Sequence, residues 1–246
     1  MPCELSIVVP VLNESGNIEP LLSEIHAALP TTSDFEVIYV DDGSQDETSA
    51  ELARAASRYP GLRVLRHQKT CGQSRALCNG IKSARGTWIA TLDGDGQNDP
   101  GDIPKLLEIA TNARQDGTPV LIAGYRVKRR DTWIKRISSR VANGIRSRLL
   151  GDDTPDTGCG LKVIAREDFL QLPFFDHMHR FLPALVLRSG GRVISEQVNH
   201  RERTRGQSKY GTLDRLIVGV SDLMGVMWLQ RRGSHTPYTE TRHGTE

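Results

Sequence analysis

Short apolar stretches alternate with amphipathic stretches along the first half of the chain, and this alternation constrains the fold more than any other feature. The apolar stretches are rich in β-branched residues, which is typical of strands buried on both faces. The stretches between them repeat apolar residues with a helical period, as Ile18, Leu21, Leu22 and Ile25 do. This alternation predicts an α/β fold with a mostly parallel central sheet and helices on both faces. The predicted strands are 5–11, 35–40, 62–65, 87–92 and 120–123, and the predicted helices are 18–29, 46–58, 73–84 and 102–114.

Acidic and amide side chains follow three of the predicted strands at the point where each strand ends. The carboxyl ends of parallel strands meet at one edge of a sheet, and α/β proteins bind their ligands outside that edge. Three acidic strand ends therefore predict a shared polar site. The residues are Asn13 and Glu14 after the first strand, Asp41 and Asp42 after the second, and Asp93 and Asp95 after the fourth.

The acidic residues after the fourth strand have the spacing expected of metal ligands. Alternate residues of an extended chain point the same way, so the carboxylates of Asp93 and Asp95 can reach one point. The glycine between them, Gly94, lets a bulky ligand approach the backbone. Oxygen ligands suit Mg²⁺ or Mn²⁺, which take further ligands from substrate phosphates. The sequence therefore predicts a site for a divalent cation and a nucleotide diphosphate, with a polar turn as the alternative.

Composition and missing motifs exclude several classes of protein. Neither a P-loop motif nor a Rossmann glycine motif follows the first strand, which argues against a P-loop NTPase and a dinucleotide-dependent dehydrogenase. The formal net charge of +2 is too small to predict a nucleic-acid partner. The four cysteines lack zinc-type spacing, so we expect reduced thiols in a cytoplasmic protein. No run of 18 apolar residues occurs, so we expect no membrane-spanning helix.

Seven short segments follow one another in an order and spacing that resemble the inverting family 2 glycosyltransferases of the GT-A fold. Within that family, the chain is most similar to the polyprenyl-phosphate glycosyltransferases, the dolichol-phosphate mannosyltransferase group. The similarity covers nearly all of residues 4–211. The segments are SIVVPVLNE at 6–14, VDDGS at 40–44 with Asp46 and Thr48, GQSRALCNG at 72–80, DGDGQNDP at 93–100, GYR at 124–126, DTGCGLK at 156–162 and RTRGQSKY at 203–210.

The resemblance implies a pocket for the nucleoside of a sugar donor. Pro10, Asn13 and Glu14 would line this pocket, and Asp42 would hold the base or the ribose. The turn would accept uridine or guanosine, so the implied donor is a UDP- or GDP-linked sugar. A local Asx-turn is the alternative role of Asp42.

The resemblance also implies a catalytic centre built around a cation. Asp93, Asp95 and Gln97 would bind Mg²⁺ or Mn²⁺ and, through it, the donor diphosphate, with Gly94 beside them. A polar residue at the start of a helix is the alternative for Gln97.

Basic residues later in the chain are implied as partners of anionic oxygens. Arg126 would make a catalytic phosphate contact, although a surface arginine is an equal alternative. Lys162 and Arg203 would take further anionic oxygens. Ser208 and Lys209 lie in a glycine-bounded loop that would order over the donor, where Lys209 would contact the diphosphate.

The acceptor class depends on whether a general base is present. A hydroxyl acceptor needs a base, whereas a polyprenyl phosphate is already anionic and does not. The segment 156–162 offers Asp156 alone, either as that base or, as we favour, to orient its loop. The implied reaction is therefore inverting sugar transfer to a polyprenyl phosphate. A transferase that uses a hydroxyl acceptor in glycan or glycolipid synthesis, and a non-catalytic nucleotide-sugar-binding module, stay open.

Two amphipathic segments predict contact with a membrane surface. A basic helix is expected at 131–150 within a catalytic domain of residues 1–211, and a second apolar-faced helix is expected at 212–232. Residues 233–246 are polar and predict a disordered tail. We therefore expect a peripheral protein on the cytoplasmic face of a membrane. Packing of both helices on the domain, and a separate integral-membrane partner, are the alternatives.

Overall fold

Seven strands form one sheet in the computed structural model, which describes residues 3–29, 34–114, 117–126, 144, 146–201 and 212–232. The strands are β1 (Leu5–Val11), β2 (Phe35–Asp41), β3 (Leu62–Arg66), β4 (Trp88–Thr91), β5 (Val120–Arg126), β6 (Lys162–Ala165) and β7 (Arg192–Val198). Besides the helical residues 144 and 146–150, seven helices accompany them in these residues: α1 (Ile18–Ala28), α2 (Thr48–Ala56), α3 (Gln73–Ser83), α4 (Ile103–Ala113), α5 (Arg166–Leu170), α6 (Leu182–Arg188) and α7 (Thr212–Arg231). Two 3₁₀ turns lie at Pro100–Asp102 and Met178–Arg180.

The strand order is β3-β2-β1-β4-β6-β5-β7, and all neighbouring pairs are parallel except those that include β6. The predicted α/β fold with a mostly parallel sheet is therefore confirmed. Pro10 of β1 lies opposite Val40 of β2, so the first turn starts beside the acidic end of β2. Strand β6 runs the other way, and Lys162 at its start pairs with Thr91 at the end of β4.

Two apolar layers cover the two faces of the sheet because successive side chains of each strand point to opposite sides. In β1, Ile7 and Val9 belong to one layer, which includes α1 and α4. Val8 belongs to the other layer, which includes α3 and α6. All three side chains are fully buried, and each such burial contributes about 1.5–3 kcal/mol. The sheet is thus a rigid base for the loops at its carboxyl edge.

The predicted elements of the first half are present with small differences at their ends. Strand β5 continues to Arg126 rather than ending at 123, because β7 pairs with it along its whole length. Helix α2 begins at Thr48, since the Asp46 carboxylate accepts the Thr48 backbone N–H at 3.0 Å from outside the helix. Strands β6 and β7 were not predicted.

The predicted helix at the end of the domain is present as α7. The basic helix predicted at 131–150 lies mostly outside the described residues. The part of this range that the structure describes, residues 144 and 146–150, is helical. The tail predicted at 233–246 also lies outside them. Of the helices that are described, none combines the length and the apolar character needed to cross a bilayer.

Candidate active site

Two loops at the carboxyl edge of the sheet, after β1 and β2, hold each other through hydrogen bonds from backbone to side chain. Ser44 Oγ accepts the backbone N–H of Asn13 at 2.9 Å, and Asn13 Oδ1 accepts the backbone N–H of Gln45 at 2.7 Å. Asn13 has a φ of 52°, a left-handed conformation in which asparagine is enriched. Thr48 Oγ1 accepts the N–H of Glu14 at 2.9 Å. The predicted nucleoside-binding turn is therefore a well-defined loop.

Asp42 uses its carboxylate to fix the loop that leads into α3. Its side chain is buried, with Oδ1 accepting the Cys71 N–H and Oδ2 accepting the Gly72 N–H, each at 2.8 Å. His67 Nδ1 lies 2.7 Å from Asp42 Oδ1, and His67 Nε2 lies 2.9 Å from Asn79 Nδ2. Because the Asn79 amide donates to Nε2, Nδ1 carries the ring proton and donates to Asp42. The structure gives Asp42 a positioning role, and its contact with base or ribose stays a prediction.

Asp93 and Asp95 directly follow the buried end of β4, as predicted. Asp93 Oδ1 accepts a hydrogen bond from Gln73 Nε2 at 2.9 Å, which ties it to the first turn of α3. Asp95 Oδ1 accepts the backbone N–H of Gln97 at 3.1 Å. The carbonyl of Gln97 in turn accepts the Arg201 N–H at 2.9 Å, which joins this turn to the segment after β7. The acidic turn is held at both ends.

Two glycines are required by the packing around this turn. A Cβ atom on Gly94 would lie 2.4 Å from Val11 Cγ1, so Gly94 allows the turn to pack on β1. A Cβ atom on Gly160 would lie 2.3 Å from the Asp93 carboxylate. The carbonyl of Gly160 accepts a hydrogen bond from Thr91 Oγ1 at 2.6 Å. The loop before β6 therefore lies directly against Asp93.

Arg126 and Asp156 form a two-pronged ion pair beside the same loop. Arg126 Nε lies 2.6 Å from Asp156 Oδ2, and Nη2 lies 3.0 Å from Oδ1. Both side chains are mostly buried, with 12% and 9% exposed. Two parallel bonds from a guanidinium to a carboxylate fix orientation as well as charge. The geometry favours the interpretation of Asp156 as a residue that orients its loop, and the phosphate contact of Arg126 stays a prediction.

Lys162 lies under the loop and is buried at the start of β6. Its Nζ donates to the carbonyl of Cys159 and lies 3.4 Å from the carbonyl of Thr157. Burial lowers the pKa of Lys162 from its ordinary value. Lys162 therefore supports the loop from below, and its predicted contact with an anionic oxygen is a further role that the geometry does not test.

A cavity of about 220 Å³ opens between α3, the loop before β6 and the second 3₁₀ turn. It is small beside the roughly 300–1,000 Å³ pockets of drug-sized ligands. The polar side chains at its wall come from segments far apart in the sequence. They include Gln73, Asp93, Thr157, Lys162, His179 and Arg180.

Most of the sequence that builds this cavity matches a known protein family. The profile of the family described as Glycosyl transferase family 2 matches residues 6–172, more than half of the chain. The chain belongs to glycosyl transferase family 2.

Two relatives are similar to this glycosyltransferase over most of its length. One is a dodecaprenyl-phosphate galacturonate synthase of Rhizobium johnstonii, 37% identical over 233 residues that cover 93% of this chain and 68% of the relative. Another is an undecaprenyl-phosphate 4-deoxy-4-formamido-L-arabinose transferase of Edwardsiella ictaluri, 34% identical over 223 residues that cover 89% and 66%. The chain thus spans about two thirds of the length of these relatives.

Solved structures share the fold of this glycosyltransferase. A glucosyl-3-phosphoglycerate synthase from Mycobacterium tuberculosis, in complex with Mn²⁺, uridine diphosphate and glucosyl-3-phosphoglycerate, is 20% identical with a TM-score of 0.65. The match covers 92% of this chain and 79% of the synthase. The same enzyme in complex with Mg²⁺ and uridine diphosphate also has a TM-score of 0.65, at 20% identity over 92% and 79%. These similarities identify the fold as the GT-A fold.

The carboxylates of this glycosyltransferase have the chemistry expected of a site for a hard divalent cation. Burial and, after it, the negative charge of Asp95 raise the pKa of Asp93 to about 6. The positive charges of Lys162 and Arg126 act in the opposite direction without cancelling this effect. An ion bound between the carboxylates would relieve their repulsion, and their oxygens suit Mg²⁺ or Mn²⁺. The donor set therefore fits the predicted metal.

The structure brings part of the predicted site together. Asp93, Arg126 and Lys162 lie around one loop, with the first turn at the same edge of the sheet. Arg203, Ser208 and Lys209 fall outside the described residues, so their implied roles stay predictions. Sequence reasoning missed Gln73 and His179; Gln73 lies inside the family-like segment 72–80, which was its one signal.

Proposed function

We propose that this family 2 glycosyltransferase moves a sugar from a nucleotide sugar to a polyprenyl phosphate, with inversion, at the cytoplasmic face of a membrane. The observation that carries the choice of acceptor is the ion pair of Asp156 with Arg126. Its two short bonds occupy the carboxylate that would otherwise serve as a base. A phosphate acceptor needs no base, and the two named relatives act on polyprenyl phosphates.

The donor half of the proposal rests on the acidic turn after β4. Asp93, Asp95 and Gln97 would hold Mg²⁺ or Mn²⁺, and Lys209 and Arg203 would add positive charge from the segment after β7. The ion would stabilise the negative charge that develops on the departing nucleoside diphosphate. A uridine nucleotide is favoured over a guanosine nucleotide, because the synthase that shares this fold binds uridine diphosphate.

The described chain orients the acceptor side through fixed positive charge. Arg126 is held by Asp156, and Lys162 is held by loop carbonyls, so neither cation needs to reorganise during a reaction. An anionic acceptor oxygen that approaches the loop before β6 would meet these charges already in place. This suits in-line attack on the sugar carbon, which inverts its configuration.

Helix α7 supplies the surface that we assign to the membrane. Leu223, Val226 and Met227 pack on the apolar layer beside α6, and Arg188 Nε donates to the carbonyl of Leu229 at 2.9 Å. In residues 218–232 the opposite face is open, and Met224 is 61% exposed. Val220 and Trp228 are exposed on it as well, and Arg231 and Arg232 follow. An apolar face next to basic residues suits an anionic membrane surface.

The proposal is tested by comparing acceptors that differ only in their head group. The protein is incubated with a panel of radiolabelled UDP- and GDP-sugars, Mn²⁺, and either a polyprenyl phosphate or the matching polyprenol. We expect lipid-linked sugar and an equal amount of nucleoside diphosphate with the phosphate alone, and none after EDTA. Product with the polyprenol would favour a hydroxyl-acceptor transferase. Metal-dependent binding without release of nucleoside diphosphate would favour a non-catalytic module.

A further inference from the structure

The second 3₁₀ turn, Met178–Arg180, places a histidine at the wall of the cavity beside Asp93. His179 Nδ1 lies 2.7 Å from Ser74 Oγ, a buried hydroxyl in the first turn of α3. The backbone N–H of His179 also donates to Ser74 Oγ, at 3.2 Å. Ser74 is not part of the cavity wall, whereas His179 is. Because Ser74 engages Nδ1, Nε2 is the ring nitrogen that is left to contact a ligand in the cavity.

The two hydrogen bonds to Ser74 fix the tautomer of the ring. Ser74 Oγ already accepts the backbone N–H of His179, and within the described residues His179 Nδ1 is the acceptor in reach of the Ser74 hydroxyl proton. If Nδ1 carried the ring proton, Ser74 Oγ would accept two hydrogen bonds, one from Nδ1 and one from the backbone N–H of His179. The buried hydroxyl proton of Ser74 would then lose Nδ1 as its acceptor, which is unfavourable. The hydroxyl therefore donates to Nδ1, and the ring proton is on Nε2.

We propose that the Nε2–H of His179 donates a hydrogen bond to the sugar of the bound donor, and that Ser74 is the positioning residue that aims it. The inference rests on the proposed function and names where the sugar lies: in the 220 Å³ cavity, next to the carboxylate that would bind the metal. An uncharged donor suits an oxygen of a sugar ring or hydroxyl. Burial lowers the pKa of His179 to about 3, so the ring is neutral and does not attract the diphosphate as a cation.

Three variants separate this contact from a structural role. His179→Asn keeps an amide near the position of Nδ1 but removes the Nε2 donor, whereas His179→Gln places an amide N–H near the position of Nε2. Ser74→Ala leaves the ring in place and removes the partner that sets its tautomer. His177→Asn is the matched control, because His177 immediately precedes the same turn, lies outside the cavity wall, and has a φ of 66° that asparagine tolerates.

Binding is measured by calorimetry with Mn²⁺ and no acceptor, using uridine diphosphate, UDP-glucose and UDP-galacturonic acid as probes. In His179→Asn we expect unchanged affinity for uridine diphosphate and about tenfold weaker affinity for the sugar nucleotide that wild type prefers. His179→Gln should recover part of that loss, and the control should match wild type. ¹⁵N spectra of the ring should show the Nε2–H tautomer in wild type and a tautomer mixture in Ser74→Ala.

The outcomes distinguish this inference from the proposed function. If wild type gains affinity from the sugar and His179→Asn keeps that gain, the inference is overturned and the proposed function stands. If His179→Asn loses affinity equally for uridine diphosphate and for the sugar nucleotide, and its melting temperature is lowered, the inference is overturned in favour of a structural role for His179. If wild type binds none of the sugar nucleotides better than the diphosphate, both the inference and the donor half of the proposed function fail.

Discussion

Asp93 and Asp95 place like charges close together at the end of β4, which destabilises the metal-free fold and favours a cation. Because the pKa of Asp93 is raised from 3.8 to about 6, the folded chain binds a proton there more tightly than the unfolded chain does. Between about pH 4 and pH 6 the folded state carries more protons, so this group's contribution to stability falls as the pH rises. A bound divalent ion would offset the repulsion.

Asp93→Asn should therefore stabilise the metal-free protein at pH 7 while it removes activity. Discounted for the partial exposure of the site, the gain in the free energy of unfolding should be about 1–2 kcal/mol. Urea titrations in EDTA measure it, and the difference between variant and wild type should shrink toward zero at pH 4. A variant that is less stable than wild type at pH 7 would contradict the assigned origin of the shift.

Asp95→Ala should abolish turnover and leave the fold intact, because its side chain is partly exposed and accepts the backbone N–H of Gln97, two residues away in the same turn. The expected loss of kcat is at least about 100-fold, typical of removing a main electrostatic contact. Asp153→Ala removes the same charge from an exposed position and serves as the control. Normal turnover by Asp95→Ala would defeat the metal assignment.

At the scale of single residues, the sequence predicted site residues that are close together in the chain. It missed site residues that are far apart in the chain and meet only in the folded structure. The spacing of Asp93 and Asp95 after an apolar strand was enough to place both at the edge of the sheet. Gln73 and His179 reach the same cavity from α3 and from a turn more than a hundred residues later, as the Ser74–His179 bond shows. No local period or spacing carries that information.

The loop before β6 is the element that organises the site. It brings the Asp156–Arg126 pair, the carbonyls that hold Lys162 and the close contact of Gly160 with Asp93 to one place. Its position follows from the direction of β6, whose first residue pairs with the last residue of β4. Neither β6 nor β7 was predicted, because β6 has four residues and β7 mixes polar and apolar residues along a half-exposed strand.

Gly160→Ala tests this element, since the added methyl group would lie 2.3 Å from the Asp93 carboxylate and must displace it. We expect at least about tenfold weaker Mn²⁺ binding and a similar loss of kcat, with little change in melting temperature because the displaced atoms end a side chain. Gly158→Ala is the matched control, because a Cβ atom added there would lie 3.4 Å from its nearest neighbour, Arg126 Nη2. Equal effects of both substitutions would show that the loop tolerates no alanine and that the contact with Asp93 is irrelevant.

At the scale of the whole molecule, the two halves of the sheet carry different parts of the site. The parallel half, β3-β2-β1-β4, carries the nucleoside turn and the acidic turn, and this half was predicted from strand and helix periodicity. The other half, built around β6, carries the cationic loop and supports α7. The helical spacing of apolar residues predicted that helix from the sequence, but the exposed fraction of its apolar side chains could be known only from the structure.

Replacing Met224 and Trp228 of α7 with glutamate should weaken binding to anionic liposomes by at least about tenfold, because both side chains are more than half exposed. Flotation measures the bound fraction. Turnover of a short-chain, water-soluble polyprenyl phosphate should be unchanged, since the catalytic edge is untouched. Val64→Glu, at an exposed site on the edge strand β3, is the control. Unaltered flotation of the double variant would remove the membrane role of α7.

The reversed direction of β6 has a consequence for how such enzymes diversify. Strand β5 ends and β6 begins at the same edge of the sheet, so the excursion of the chain between them leaves from and returns to the edge that carries Asp93 and Asp95. Mutations, insertions and exchanges within that excursion can reshape what receives the sugar without disturbing the strands that carry the nucleotide. One scaffold can in this way keep a constant leaving group and serve many lipid or sugar products.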